Sequence, residues 1–170
     1  DYDPPAPLSA LWARRDLGLV MMCGLPFARQ RQIDLQLQRT PVRLVAAPLP
    51  SPDRYQGRPV YFTDLVVRAD SPARNLNDTF GKVLGITLAD SMSGGVAPKV
   101  FLRALCATDS GPTHRRVVGG LIHARGVIDA LVTGRIDVGP LDSWYHDLLQ
   151  RNDPSFAAQV RTIATTPPAP

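Results

Sequence analysis

Short apolar runs alternate with helical patterns along this chain, and this alternation limits its fold more than any other feature. Runs of strand length occupy residues 17–23, 42–47, 61–68, 82–88, 136–141 and 161–165. Helical spacing occurs in residues 96–107, 124–133 and 143–150, with short helical turns at 76–80 and 156–160 and a brief strand at 117–118. Such alternation predicts an α/β fold, in which helices flank a mixed, mostly parallel sheet.

The composition is that of a globular protein that can bury a core. The chain has 170 residues, of which 44% are hydrophobic and 20% are charged, and this length allows one domain or two small lobes. No apolar run approaches the ~18–20 residues of a membrane span. No charged segment followed by an apolar one marks a secretion signal, so we expect any such signal to lie outside this sequence.

The charge of the chain favours a small anionic ligand over nucleic acid. The formal net charge is +4, which suits an anion of small size. Basic residues occur as scattered pairs, such as Arg14 with Arg15 and Arg115 with Arg116. No basic stripe with interleaved aromatic residues is present, so we predict no nucleic-acid partner.

Ligands of open α/β sheets bind where the carboxyl ends of strands lead into helices. That rule selects the turn of Cys23, Gly24, Leu25 and Pro26 after the first strand, Tyr61 and Thr63 on the third strand, the turn at residues 91–95, and Asp142 with Tyr145 after the strand at 136–141. Tyr61 and Thr63 share one face of their strand, because side chains repeat every two residues.

The turn at residues 91–95 carries the most chemical information. Ser91 and Ser93 place two hydroxyls one residue apart, and two glycines follow before a helix. Hydroxyl and backbone N–H groups can therefore converge on one point, where the helix N-terminus adds roughly half a positive charge. This arrangement predicts an oxyanion site. The alternative is a helix cap with flexible glycines and no ligand.

Two further side chains have both a structural and a ligand-binding interpretation. Asp142 opens a helix, so it is either an N-cap or an acceptor for a ligand's amine, hydroxyl or remaining phosphonate proton. Tyr61 either packs across strands or contacts the ligand. His123 precedes a helix and is interpreted as a surface or capping histidine rather than a catalytic one.

The patterns that would indicate an enzyme are not found. Ser91 and Ser93 do not stand in a Gly-x-Ser-x-Gly elbow, and no phosphate-cradling Gly-x-x-x-x-Gly-Lys run occurs. Cys23 and Cys106 have no further Cys or His at zinc-ligand spacing. They either pair in an oxidising compartment or are buried as small hydrophobes. We therefore predict no catalytic residue, no metal and no cofactor.

Several segments, taken in order, resemble one protein family. They are residues 61–72, residues 76–81, the run from Asp90 to Gly94, residues 130–142 with Gly134 and Asp137, and residues 161–170. In this order they resemble the phosphonate-type periplasmic substrate-binding proteins of ABC transporters. The likeness covers most of the chain from residue 17 onward, and the order of the segments carries it rather than any single motif.

The resemblance implies a two-lobed periplasmic binding protein-like fold of type II, whose lobes close over a ligand by hinge motion. It implies a first lobe of residues 1–66 and 164–170 and a second lobe of residues 67–163. The chain would cross between the lobes near residues 66–69 and 163–166. Because the chain is short for this family, we expect the first lobe to be incomplete.

The resemblance also implies a function: a periplasmic solute-binding component of an ABC importer. Its partners would be a small phosphonate-like or phosphate-like oxyanion and the transporter's permease, with the membrane reached only through the transporter. The family's ligand contacts map onto Ser91, Met92, Ser93, Gly94, Tyr61, His123 and Asp142. Met92 stands where the family commonly has a hydroxyl residue, and His123 is displaced by about one residue. Phosphate, another oxyanion or an organic precursor therefore stays open as the ligand.

Two other functions stay open. A ligand-sensing effector domain of the same fold would be favoured by a helix-turn-helix or a membrane segment elsewhere in the gene. A relative that binds or synthesises pyrimidine precursors would need a cofactor lysine or a catalytic His/Cys cluster. The two lysines, Lys82 and Lys99, stand in no recognisable site of that kind.

Overall fold

The computed structural model describes residues 8–105 and 113–169. Its α-helices are α1 (Leu8–Trp12), α2 (Gly24–Gln36), α3 (Ala97–Leu105), α4 (Ala124–Val132), α5 (Ser143–Asn152) and α6 (Pro154–Ala157). Its strands are β1 (Thr63–Arg68), β2 (Val83–Gly85), β3 (Arg116–Val118), β4 (Gly139–Asp142) and β5 (Val160–Thr165). Two 3-10 turns, Asp53–Tyr55 and Leu76–Thr79, and a π turn, Met92–Val96, accompany them.

β1 is the centre of a three-stranded antiparallel sheet in the order β4–β1–β5. β2 and β3 form a parallel pair, and a parallel bridge between Leu84 and Val138 connects this pair with the segment that leads into β4. The mixed α/β class is confirmed, but the parallel part is smaller than predicted, because β1 runs antiparallel to both of its neighbours. Strand direction depends on how distant segments return to the sheet, and an apolar run carries no signal for it.

β1 is buried on both of its faces. Val66 belongs to one apolar cluster together with Val127 and Ile128 of α4. Leu65 and Val67 belong to a second cluster on the other side of the strand. Because side chains alternate along a strand, this arrangement holds β1 between two packed layers. The packing on both faces therefore holds the first residues of β1 in place.

The two long helices predicted in the second half are confirmed, whereas the helical stretch predicted at 156–160 is α6, which ends at Ala157 before β5 begins at Val160. Residues 124–133 contain α4, and Gly134 follows it with a φ of 70°, a left-handed conformation that glycine adopts without strain. Residues 143–150 lie within α5. The helix predicted at 96–107 is α3 up to Leu105, and the rest of that prediction, with Cys106, lies outside the described residues. No helix in the described ranges is long and apolar enough to cross a membrane.

Two strands predicted in the first half are wrong. Residues 17–23 and 42–47 form no strand; the first run is partly exposed, with Leu19 at 74%, and the second is largely exposed, with Val45 at 78%. An apolar run becomes a strand only when another backbone satisfies its N–H and C=O groups. No described segment pairs with either run, so the residues before α2 form an irregular lead-in to that helix.

The two segments at which the lobes are predicted to cross lie side by side. β1 and β5 pair antiparallel, with Leu65 opposite Ala164. A bridge between Tyr61 and Ala169 extends the pairing beyond both strands. The division into a first lobe of residues 1–66 and 164–170 and a second lobe of residues 67–163 remains a prediction.

Candidate functional site

Three helices begin close to one another near the start of β1. Their N-caps are Cys23 for α2, Ser91 for the π turn that leads into α3, and Asp142 for α5. Both α2 and β4 contact the π turn, and Asp142 stands opposite Thr63 in the register of β1 and β4. Each helix N-terminus presents unpaired N–H groups and roughly half a positive charge, so their convergence favours an anion.

The π turn packs directly against the segment that follows β2. The Ser91 hydroxyl oxygen accepts the N–H of Gly94 at 3.1 Å, so the predicted capping role of Ser91 is present. A Cβ on Gly94 would lie 1.7 Å from Thr87 Oγ1, and one on Gly95 would lie 2.4 Å from the carbonyl oxygen of Leu88. Glycine is therefore needed at both positions, because the turn lies too close to the segment after β2 to leave room for a side chain.

Thr63 connects β1 to this turn. Its hydroxyl donates to the carbonyl oxygen of Ser93 at 3.0 Å, and its N–H donates to the hydroxyl oxygen of Thr166 at 3.0 Å. Thr63 and Ser93 are both buried. The Thr63 hydroxyl proton is thus used within the protein, and Thr63 supports the turn from beneath.

Asp142 caps α5 and borders the π turn. Its Oδ1 accepts the N–H groups of Trp144 and Tyr145 at 3.0 Å and 3.2 Å. Burial raises the pKa of Asp142 above its ordinary value, and the charge of Asp64 adds to this. Its hydrogen bonds, including one with the side chain of Ser93, lower the pKa only in part. The ionised carboxylate is therefore costly here, and a partner that shares a proton with it is favoured.

Tyr61 carries a hydroxyl that has no strong hydrogen-bond partner in the described part of the protein. Its oxygen is buried, and its polar neighbour is the thiol of Cys23, which forms only weak hydrogen bonds. Burial raises the pKa of Tyr61, and the neighbouring Cys23 and Asp142 raise it further, so the hydroxyl stays neutral. A buried hydroxyl without a strong partner costs roughly 1–3 kcal/mol. A ligand oxygen beside it would remove that cost.

The structure brings most of the predicted residues to these helix starts. Gly24, Leu25 and Pro26 form the first turn of α2, although no strand precedes them. Met92 is half-buried and opens the π turn. Tyr145 contributes its N–H to Asp142, whereas its side chain interacts with Arg125 of α4. The contact that Tyr145 offers at this point is therefore its backbone.

His123 is the N-cap of α4, and its Nδ1 accepts the N–H of Gly126 at 3.1 Å. The segment that leads to it is anchored at the same edge of the sheet as the π turn, because Gly120 donates to the carbonyl oxygen of Thr87 at 3.0 Å. Thr87 in turn donates to the carbonyl oxygen of Gly94 at 3.0 Å. A ligand contact by His123 remains a prediction.

The turn selected from the sequence begins at Cys23, but Cys23 is not among the predicted ligand contacts, and Thr87 is not selected at all. Cys23 directly precedes the predicted Gly24, but its position beside Tyr61 depends on how α2 packs. No local sequence pattern marks Thr87, because it matters only through its packing against Gly94. Asp64 could have been selected, because a carboxylate within an otherwise apolar strand must have partners when it is buried.

A cavity of about 320 Å³ lies apart from the helix starts, at the far end of β1. Its lining includes Arg68, Asp78, Lys82 and Asp137, and none of the predicted site residues. Within residues 8–105 and 113–169, no group of three or more His, Cys, Asp or Glu side chains could hold a metal ion. A ligand site at the helix starts, where backbone N–H groups and the Tyr61 hydroxyl would be the donors, remains a prediction.

Residues 35–170 match a protein family model, which is described as "ABC transporter, phosphonate, periplasmic substrate-binding protein". The chain belongs to this family. Members of this family are periplasmic proteins that bind substrates for ABC transporters. The resemblance drawn from the order of the sequence segments is thereby confirmed.

Solved structures share the fold. PhnD1 from Prochlorococcus marinus, in complex with methylphosphonate, aligns with a TM-score of 0.70 and 18% identity over 95% of this chain and 57% of its own. A binding protein component of an ABC phosphonate transporter from Pseudomonas aeruginosa aligns with a TM-score of 0.56 and 22% identity over 68% of this chain and 39% of its own. A Xanthomonas citri protein bound to ATP aligns with a TM-score of 0.53 and 25% identity over 65% and 43%.

These relatives are two-lobed periplasmic binding proteins, and the chain covers part of their fold. It spans between 39% and 57% of the length of the three structures. No match is found among the curated proteins.

Proposed function

We propose that this chain is the ligand-binding part of a solute-binding protein for an ABC importer, and that it captures a phosphonate or phosphate-like oxyanion in a cleft between two lobes. The observation that carries this proposal is the buried Tyr61 hydroxyl beside the N-caps Cys23 and Asp142, which has no strong hydrogen-bond partner among the described residues. Three helix N-termini supply positive potential at that point, and Tyr61 supplies a hydroxyl donor whose polar neighbour is only the weakly bonding Cys23 thiol.

The site favours a ligand that carries both anionic oxygens and a proton or amine. The N–H groups at the helix starts and the Tyr61 hydroxyl donate to the oxygens. Asp142 borders the same point, and an ionised carboxylate repels a ligand that has no proton to share. A phosphonate monoanion, hydrogen phosphate or a zwitterionic aminophosphonate meets both requirements.

The hydrogen bonds of Ser91 and Ser93 support ligand binding without a chemical step. Ser91 caps the π turn, and Ser93 bonds to Asp142, which also caps α5, so both serine hydroxyls have structural roles. We propose that residues 1–66 and 164–170 form one lobe and residues 67–163 the other. The lobes close over the ligand in the periplasm, and the transporter's permease then receives it.

Isothermal titration calorimetry of the chain tests this proposal with inorganic phosphate, methylphosphonate and aminoethylphosphonate, and with sulfate as the comparison ligand. We expect saturable binding of at least one of the three phosphorus ligands. Sulfate carries no proton at neutral pH, so we expect it to bind more weakly than any ligand that binds. An absence of heat from all three phosphorus ligands would overturn the proposal.

A further inference from the structure

A network of charged side chains around the buried Asp64 lies on the side of β1 that faces away from the π turn. Asp64 directly follows Thr63, so the two side chains point to opposite faces of the strand. The buried Asp64 carboxylate accepts hydrogen bonds from Arg54 at 3.2 Å, His146 Nδ1 at 3.0 Å and the Thr165 hydroxyl at 2.9 Å. The 3-10 turn at Asp53–Tyr55, β1, α5 and β5 therefore meet at one carboxylate.

Arg54 extends this network to the first turn of α5. Its guanidinium donates to Asp147 through Nε at 3.0 Å and through Nη2 at 2.6 Å. Nη2 also donates to the carbonyl oxygen of Ser143 at 2.7 Å. Ser143 is the first residue of α5, so one arginine side chain joins β1 to the start of that helix.

Ser143 is held from a second direction as well. Its hydroxyl oxygen accepts the N–H of Phe62 at 2.8 Å, and its hydroxyl is hydrogen-bonded with that of Tyr55 at 3.0 Å. Its own N–H donates to the carbonyl oxygen of Phe62 at 3.0 Å. Ser143 is fully buried, and the residue before it is Asp142. Any displacement of Ser143 therefore moves the carboxylate that borders the oxyanion site.

A gain in net stability does not by itself explain why these charged side chains lie together. The loss of hydration offsets much of the attraction between buried charges, so a buried ion pair contributes little net stability. A guanidinium differs from an ammonium in holding several acceptors in one planar geometry. Arg54 uses that geometry on Asp64, Asp147 and the Ser143 carbonyl, and it thereby fixes α5 relative to β1.

We propose that Arg54 is a positioning residue for oxyanion binding, which acts by holding the first turn of α5 and, through it, Asp142. Arg54 lies on the far side of β1 and acts on the ligand only through α5. This inference rests on the proposed function, because it concerns the geometry of the same site.

The test compares Arg54→Met and Arg54→Lys with a matched control, Arg15→Met. Arg15 also pairs with a buried aspartate, Asp34, but that pair lies ten residues after the start of α2, about 15 Å along the helix. All variants are measured in three ways: calorimetric titration with inorganic phosphate and methylphosphonate, thermal unfolding, and amide hydrogen exchange without ligand.

We expect Arg54→Met to bind about tenfold more weakly and to exchange the amide hydrogens of Trp144 and Tyr145 faster than the wild type. Arg54→Lys keeps the charge but loses the planar fork, so we expect it to stay weak too. Arg15→Met should lose thermal stability while both its affinity and its exchange at these two amides stay at wild-type values. If Arg54→Met does not fold, Arg54→Lys provides the comparison by itself.

Wild-type affinity together with wild-type exchange at Trp144 and Tyr145 in a folded Arg54 variant would overturn the inference. So would equal losses of affinity in the Arg54 and Arg15 variants, because they would indicate a general loss of stability. If the wild type binds none of the oxyanions, the proposed function fails. The exchange experiment still decides whether Arg54 holds the start of α5.

Discussion

The Thr63 hydroxyl donates a hydrogen bond of 3.0 Å to the carbonyl oxygen of Ser93. Thr63 is the first residue of β1, and Ser93 lies in the π turn that begins at Met92. The buried Thr63 side chain therefore holds the turn against the sheet. Because β1 is packed on both faces, this hydrogen bond holds the π turn, which leads into α3, in a fixed position relative to the strand.

Replacing Thr63 with Val should weaken both the fold and the binding of an oxyanion. Val has nearly the same shape but leaves the buried Ser93 carbonyl without its donor, which should lower the free energy of unfolding by about 1–3 kcal/mol. Urea unfolding and titration with methylphosphonate measure the two effects. Thr63→Ser keeps the hydroxyl and serves as the control. Equal behaviour of the Val and Ser variants would show that the hydrogen bond is unimportant.

Tyr61→Phe should stabilise the ligand-free protein and weaken ligand binding. The change removes a buried hydroxyl that has no strong described partner, so the free energy of unfolding should rise by about 1 kcal/mol. A hydrogen bond to a charged ligand is lost, so affinity for phosphate or methylphosphonate should fall about tenfold.

Tyr55→Phe is the matched comparison for Tyr61→Phe. The Tyr55 hydroxyl has two partners, Ser143 and Asp147, so its removal should destabilise the protein. Thermal unfolding and calorimetry distinguish the two variants. Lower stability of Tyr61→Phe, with unchanged affinity, would mean that its hydroxyl has a strong partner within the protein.

Gly94→Ala should be strongly destabilising. The new Cβ would lie 1.7 Å from Thr87 Oγ1, so the π turn must move away from the strand end, at a cost of about 1–3 kcal/mol or more. Gly18→Ala is the control, because no atom lies within 4 Å of a Cβ at that position. Chemical denaturation should separate the two variants. A wild-type unfolding midpoint for Gly94→Ala would contradict the close packing described above.

Asp142→Asn should change how stability depends on pH. Burial raises the pKa of Asp142, so the folded protein binds this proton more tightly than the unfolded chain does. The free energy of unfolding contributed by this group therefore falls as pH rises from the ordinary aspartate value to the raised one. Asn keeps the capping acceptor but does not titrate, so that decrease should disappear in the variant.

Denaturant unfolding between about pH 4 and pH 8 covers the interval that matters for Asp142. Asp64 provides an internal contrast. Burial alone would raise the pKa of Asp64, but the hydrogen bond with His146 and the charge of Arg54 hold it below the ordinary value. Its stabilising contribution is lost as pH falls, in a lower range. A profile for Asp142→Asn that matches the wild type would rule out the raised pKa.

Periodicity predicted α4, α5, β1 and β5 because each buries one side or both sides against the core, and burial imposes a spacing that can be read locally. The same rule failed at residues 17–23 and 42–47. An apolar run of strand length records only that its side chains are hydrophobic. Whether it becomes a strand depends on a partner backbone, and neither run has one among the described residues.

Within the site, residue type and helix position were enough to select Ser91 and Asp142, since short polar side chains before a helix accept its first N–H groups. Their capping bonds are present. Other features depend on residues far apart in the chain, such as Cys23 beside Tyr61, Gly94 against Thr87, and Arg54 behind α5. No local pattern reports such contacts.

The sequence by itself determined the α/β class, the family and the helix starts that could receive an anion, because these follow from spacing, residue type and segment order. Only the tertiary structure decided that three helix starts meet and that the hydroxyl of Tyr61 is buried there without a strong described partner. It also decided that β1 runs antiparallel to both neighbours. These properties arise from how distant segments pack, and the free energy of packing is set by contacts across the chain rather than along it.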